Sequence, residues 1–160
     1  MTKRQLTAYG TLCGRVEHYL MQTQGIHRGE AIAQRRELAA LGAGLRPGFD
    51  KARLTALEYD LVMAALWMAT GAPDREAQAA RYAGNARRVL CYSLDRLRSQ
   101  HGAAYVDKIV RDRLHPHTEE TAPVSLLRQA VWTASNRGRA AQRRRAAQAA
   151  QASESVEDGI

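Results

Sequence analysis

Apolar residues return along this chain at intervals of three and four, the spacing that gathers side chains on one face of an α-helix. Leu6, Tyr9, Leu12, Cys13, Val16 and Leu20 trace such a face and predict a first helix over 3–23, ended by Gly25 and weakened internally by Gly10 and Gly14. A second helix is expected over 29–42, with Ile32, Leu38 and Leu41 inward and Arg28, Arg35 and Arg36 outward, stopped by Gly42, Gly44, Pro47 and Gly48. Thr55 and Glu58 match a capping box, and Leu54 with Tyr59 its hydrophobic staple, opening a helix over 55–70. Because Leu61 to Ala69 is apolar on every side, this helix should be surrounded by the others. Asp74, after Pro73, is placed to cap a fourth helix over 75–99 that buries Ala86, Leu90, Leu94 and Leu97. Val106, Ile109 and Val110 define a fifth near 103–114, closed by Pro116. Pro123 opens a sixth over 123–136, with Leu126, Leu127, Ala130 and Val131 inward.

Beyond it, RGRAAQRRRAAQAAQ (137–151) has alanine enough for helix but no large apolar residue to oblige packing. The last eight residues, 153–160, carry three acids and are expected to be disordered. No segment alternates as a strand does. The sum is an all-α fold: a compact bundle of about six helices in 1–136, with 71–74 as the point where two sub-bundles would meet, a basic exposed helix over 137–152 and a disordered acidic tail over 153–160. The apolar fraction is 45%, yet alanine carries much of it and Phe49 is the one phenylalanine, so close contacts between small residues should build the core. Cys13 and Cys91 stand alone, without zinc or disulfide spacing, which suits a reducing cytoplasm. Neither a secretory leader nor a run approaching the ~20 apolar residues of a membrane span is present, so no membrane partner is expected.

Charge changes the picture from fold to function. There are 24 basic and 16 acidic residues, and 21 of the basic ones are arginine, whose planar fork binds phosphate through two hydrogen bonds and stacks on bases. A GC-rich coding sequence would raise arginine and alanine together, but not the net charge. Without the acidic tail, 1–152 hold 24 basic against 13 acidic residues. The candidate nucleic-acid-binding cations of the first half are Arg28, Arg35, Arg36, Arg46, Lys51 and Arg53. In helix four, Arg81, Asn85, Arg88, Tyr92 and Arg96 follow at steps of four, three, four and four, a ridge fit to track a phosphate backbone. Arg137 and Arg139 begin the run that ends at Arg145. The competing reading of the same charges is a solvated, salt-bridged surface.

Chemistry of other kinds finds little support. His115, Pro116 and His117 with Glu119 and Glu120 resemble a metal cluster on paper, but a polar connector between helices explains them better, so no metal and no cofactor are expected. No nucleophile elbow, P-loop or dinucleotide-binding turn occurs, and the chain is read as a non-enzyme. Asp60, an acid within the apolar third helix, is expected to pair with an arginine.

Four segments carry a resemblance: RGEAIAQRRELAALGAGL (28–45), LTALEYDLVMAALWMATG (54–71), YVDKIVRDRL (105–114) and VSLLRQAV (124–131). In their order and character they are similar to the CasB-type small subunits of the CRISPR Cascade surveillance complex. The resemblance implies an all-helical, non-catalytic scaffold present in more than one copy within an RNA-guided complex. It would contact guide RNA, target DNA, the displaced single strand and other subunits, without sequence readout. Carried over by position, it implicates Arg35, Arg36, Arg111, Arg113 and Arg128. The family's Trp-containing final helix and following basic stretch have only Trp132 and Arg137–Arg145 as counterparts here. Two other classes fit the charge: a phage or plasmid helix-turn-helix regulator or antiterminator reading duplex DNA through 74–98 or 103–136, and an adaptor for an acidic protein.

Overall fold

The computed structural model describes the backbone of residues 1–157 and the side chains of 1–149. Six α-helices follow in order: α1 Lys3–Gln24, α2 Arg28–Ala43, α3 Ala56–Met68, α4 Arg75–His101, α5 Ala103–Leu114 and α6 Val124–Glu157, with a 3-10 turn at Lys51–Arg53. The fold is all-α, with no strand among the described residues. Two compact units divide the chain, Met1–Val89 and Leu90–Ile160, and α4 contributes to both. The division falls inside α4 and not at 71–74. Gly71 and Pro73 end one helix, but the first half of α4 still packs with what precedes it.

In the first unit, Thr2 and Gln5 close a capping box on α1, and Gly25 at φ 65° ends it, its N–H donating to the Met21 carbonyl. Thr55 and Glu58 do the same for α3, as their spacing predicts. Val62, Met63 and Leu66 of α3 and Val16 of α1 are sealed from solvent, so α3 is the pillar of this unit, though Met68 at its end is half exposed. The buried face of α2 corrects the sequence reading. Ala31, Arg35, Ala39, Ala40 and Ala43 point inward, while Leu38 is exposed and Leu41 is 71% exposed. The physical reason is closeness: a β-carbon added at Gly42 would lie 2.2 Å from the Ala65 β-carbon. Two helices approaching this tightly admit alanine and glycine between them and turn the leucines outward.

In the second unit, Leu90, Leu94 and Leu97 of α4, Val106, Ile109, Val110 and Leu114 of α5, and Leu127, Ala130 and Ala134 of α6 form the core. Arg98 fastens it, donating to Asp95 and Asp107 at 2.7 Å each and to Glu119. Gly138 has a similar role to Gly42, since a β-carbon there would lie 2.4 Å from the His101 ring. The sixth helix starts one residue after Pro123, whose carbonyl accepts from Leu126 and Leu127, and does not stop at 136. The stretch expected as a separate basic helix over 137–152 continues α6, because nothing in its alanine-rich sequence breaks the helix. Of the tail over 153–160, residues 153–157 continue the backbone of α6 and 158–160 lie outside the described residues.

Candidate nucleic-acid interface

The fourth helix presents its polar positions as the spacing requires. Arg81 and Arg88 are exposed with Asn85 half-buried between them, and further along the same helix Tyr92 is 71% exposed and Arg96 is exposed. Arg88 donates from Nη2 to Asn85 Oδ1, which fixes the direction of its guanidinium. Asp60 of α3 stands behind this pair. Burial pushes its carboxyl above the ordinary carboxylate range, while a hydrogen bond from Asn85 and the charge of Arg88 pull it back. Arg88 is near enough for its charge to act on Asp60, but the two form no ion pair among the described residues, and Asn85 is the hydrogen-bond partner of Asp60. Among the described residues, no carboxylate lies within ion-pair distance of Arg81 or Arg96.

A second stripe, not recognised as one from the sequence, lies on α6. Trp132, Asn136, Arg139 and Arg143 succeed one another at steps of four, three and four, and so share a face. Trp132 is 68% exposed. Arg139 donates from Nη2 to Asn136 Oδ1 at 2.7 Å, the same arrangement as Arg88 on Asn85. Asn136, Arg139, Ala140 and Arg143 border a shallow groove of about 390 Å³. From Val124 to Gln151 there are six arginines and no acid, and the acids of this helix, Glu154 and Glu157, lie at its far end. Repetition of the step pattern already noted on helix four was the signal that could have found this stripe.

The other candidates are not one surface. Arg28, Arg36 and Arg46 are exposed, as are Lys51 and Arg53, but Arg53 faces Asp50 at 3.5 Å. Arg111 and Arg113 are exposed near the end of α5, with no carboxylate in ion-pair reach among the described residues, whereas Arg128 is half-buried. Arg137 is exposed on α6.

Arg35 departs furthest from expectation. It is 8% exposed, its Nε bonded to Glu17 Oε1 at 3.0 Å and its Nη1 to the Tyr9 hydroxyl at 3.1 Å. A backbone-tracking role for it is withdrawn. The small residues of α2 bring that helix so close to its neighbours that position 35 falls inside, and Glu17 and Tyr9 supply the acceptors a buried guanidinium requires. Their place on the inward face of α1, two turns apart, was the only trace of this in the sequence. Burial pushes the Tyr9 hydroxyl up to about 12 and raises the Cys13 thiol beside it, against the lowering effect of Arg35 on both.

Arg98, which no functional expectation included, is held by three carboxylates, and the hydrogen bond to Glu119 is the largest reason its guanidinium stays protonated still more firmly than usual. It is a structural clamp. No helix among the described residues is long and apolar enough to cross a membrane. No protein-family model matches the chain, and neither does any curated protein or solved structure.

Proposed function

We propose that this chain is a non-catalytic nucleic-acid-binding scaffold that holds phosphate backbone without reading sequence. The observation that carries the reading is the gathering of exposed arginines beside exposed aromatic rings. Arg81, Arg88 and Arg96 accompany Tyr92 on α4, and Arg139 and Arg143 accompany Trp132 on α6. Single-stranded nucleic acid is held by this combination, cations along the backbone and rings on which bases stack, and sequence preference is weak because every base has a face to stack. Evenly neutralised charge would argue against it, but among the described residues no carboxylate lies within ion-pair distance of Arg81, Arg96, Arg139 or Arg143.

The resemblance to Cascade small subunits supplies the setting: a subunit of an RNA-guided CRISPR interference complex, present in more than one copy, lying against the guide–target region and the displaced strand. In that setting base pairing by the guide does the reading, and a subunit of this kind contributes backbone contacts alone.

The test is binding of the full chain to a fluorescent mixed-sequence single strand and to duplexes, with Arg81, Arg88 and Arg96 reversed together to Glu. All three are exposed, so helicity by circular dichroism is expected to be unchanged while single-strand affinity falls about tenfold or more. Unaltered affinity in the folded triple variant removes α4 from the interface. A strong preference for one duplex sequence overturns the scaffold reading in favour of a helix-turn-helix regulator. Indifference to every nucleic acid at moderate salt overturns it in favour of an adaptor.

A further inference from the structure

Arg35, lost from the outer surface, is the back wall of a cleft of about 490 Å³ within the first unit. The cleft opens between α1, α2 and the turn at 48–51. A guanidinium has five N–H donors in a fixed fork. Here Nε is taken by Glu17 and one Nη1 donor by Tyr9, and the Cys13 thiol also accepts from the guanidinium, so these three protein partners use three of the five donors. No nitrogen of Arg35 is both fully enclosed and without a partner, and its side chain lines the cleft.

We propose that this cleft binds a phosphate monoester of nucleotide size, independently of the arginines of α4 and α6. Four features converge. The guanidinium is pinned from behind by Glu17 and Tyr9, so its free edge is set before a ligand arrives, and a fixed fork binds phosphate at less entropic expense than a mobile one. Exposed Arg36 and Lys51 add positive charge at the mouth. The acid on the rim, Asp50, is engaged elsewhere: it accepts from the Ala52 N–H at 2.9 Å and faces Arg53 at 3.5 Å. Tyr9 and Cys13, the other ionisable groups of the lining, are kept neutral by burial and oppose no anion.

Size and lining select the ligand. The volume falls within the ~300–1,000 Å³ of small-molecule sites, far more than inorganic phosphate fills. Half-buried Phe49 offers an apolar face for the remainder of the ligand. A free nucleoside monophosphate and the phosphorylated 5′ end of a strand share this chemistry. The experiment separates them.

Calorimetric titration of the full chain with AMP, adenosine and inorganic phosphate is the first arm. Single strands with and without a 5′-phosphate form the second. Saturable binding of AMP is expected, displaced by inorganic phosphate, with adenosine inert. A 5′-phosphate that strengthens strand binding about tenfold assigns the strand end as the source. AMP binding without that difference assigns the free nucleotide.

Gly10 provides the discriminating variant. It lines the cleft on α1, and a β-carbon there meets nothing within 4 Å, so Gly10→Leu places a bulky apolar side chain at the cleft from an uncrowded position. It is expected to abolish AMP binding with helicity intact, and Arg36→Ala with Lys51→Ala to weaken it about tenfold. The α4 triple reversal is expected to leave AMP affinity unchanged, so failure here and failure of the scaffold reading are distinguishable. AMP affinity retained in folded Gly10→Leu, adenosine binding as well as AMP, or no binding of AMP and no effect of the 5′-phosphate would each overturn the proposal.

Discussion

The α2–α3 contact makes a prediction whose sign is informative. By helix propensity alone, Gly42→Ala and Gly10→Ala should each stabilise the protein by about 0.8–1 kcal/mol, since glycine loses more backbone freedom on folding than alanine does. At Gly10 nothing stands within 4 Å of the new methyl, and the full gain is expected. At Gly42 the methyl would lie 2.2 Å from the Ala65 β-carbon and 3.5 Å from its α-carbon. Carbon atoms settle at about 3.5–4.0 Å, so the helices must part locally by roughly 1.5 Å. The obstacle is another methyl on a helix backbone, which cannot swing away. Overpacking of this kind costs about 1–3 kcal/mol, and a mid-range cost of about 2 kcal/mol less the propensity gain leaves Gly42→Ala destabilising by about 1 kcal/mol. The same substitution at two helical glycines should thus differ by roughly 2 kcal/mol and in sign. Urea denaturation followed by circular dichroism measures both. If Gly42→Ala proves as stable as the parent while Gly10→Ala gains, the close approach and the explanation of the alanine-lined face of α2 are wrong.

Other outcomes follow from single features. Arg98→Ala leaves Asp107 and Glu119 without their shared cation, so a loss of about 2–3 kcal/mol is expected, with Arg98→Lys recovering only part because an ammonium cannot reproduce the fork. Hydrogen exchange should quicken at Val106–Val110 and not at Val62–Leu66; equal acceleration at both would contradict a clamp local to the second unit. Thr55→Ala removes the side-chain cap on the Glu58 N–H and is expected to cost about 1 kcal/mol, against no change if the box is ornamental. Burial pushes the Tyr9 and Tyr59 hydroxyls from 10.0 up to about 12. The folded chain therefore keeps protons that the unfolded chain releases, and this contribution to stability, whole below pH 10, is lost as pH rises toward 12. In a titration of tyrosinate absorbance, two of the six tyrosines should ionise late; one common transition near 10 would refute their burial.

Much of the helical frame was legible because the local signals agreed with one another. Capping chemistry at Thr55 and Glu58, the stripe from Ala86 to Leu97 and the breakers Gly25 and Gly44 each set one boundary or face that the structure retains. Reading failed where small residues outrank large ones. Leu38 and Leu41 look like a core by hydrophobicity, but the core face of α2 is set by how closely α3 can approach, a tertiary quantity that Gly42 signals only once Ala65 is seen opposite. Arg35 was lost from the surface for that reason and regained as the wall of a cleft, because Glu17 and Tyr9 lie on another helix. On α4 the polar ridge was legible since period alone determines which positions of one helix share a face. The α6 stripe was missed by ending the helix at 136, which separated Trp132 and Asn136 from Arg139 and Arg143.

The central claim is that cations here are gathered for phosphate, and the dependence of single-strand binding on salt tests it most directly. With about six phosphate contacts by exposed arginines, counterion release at roughly 0.7 per contact gives a log–log slope of affinity against salt near −4 for the parent chain. A slope near zero, or binding that persists undiminished at high salt, would contradict the account.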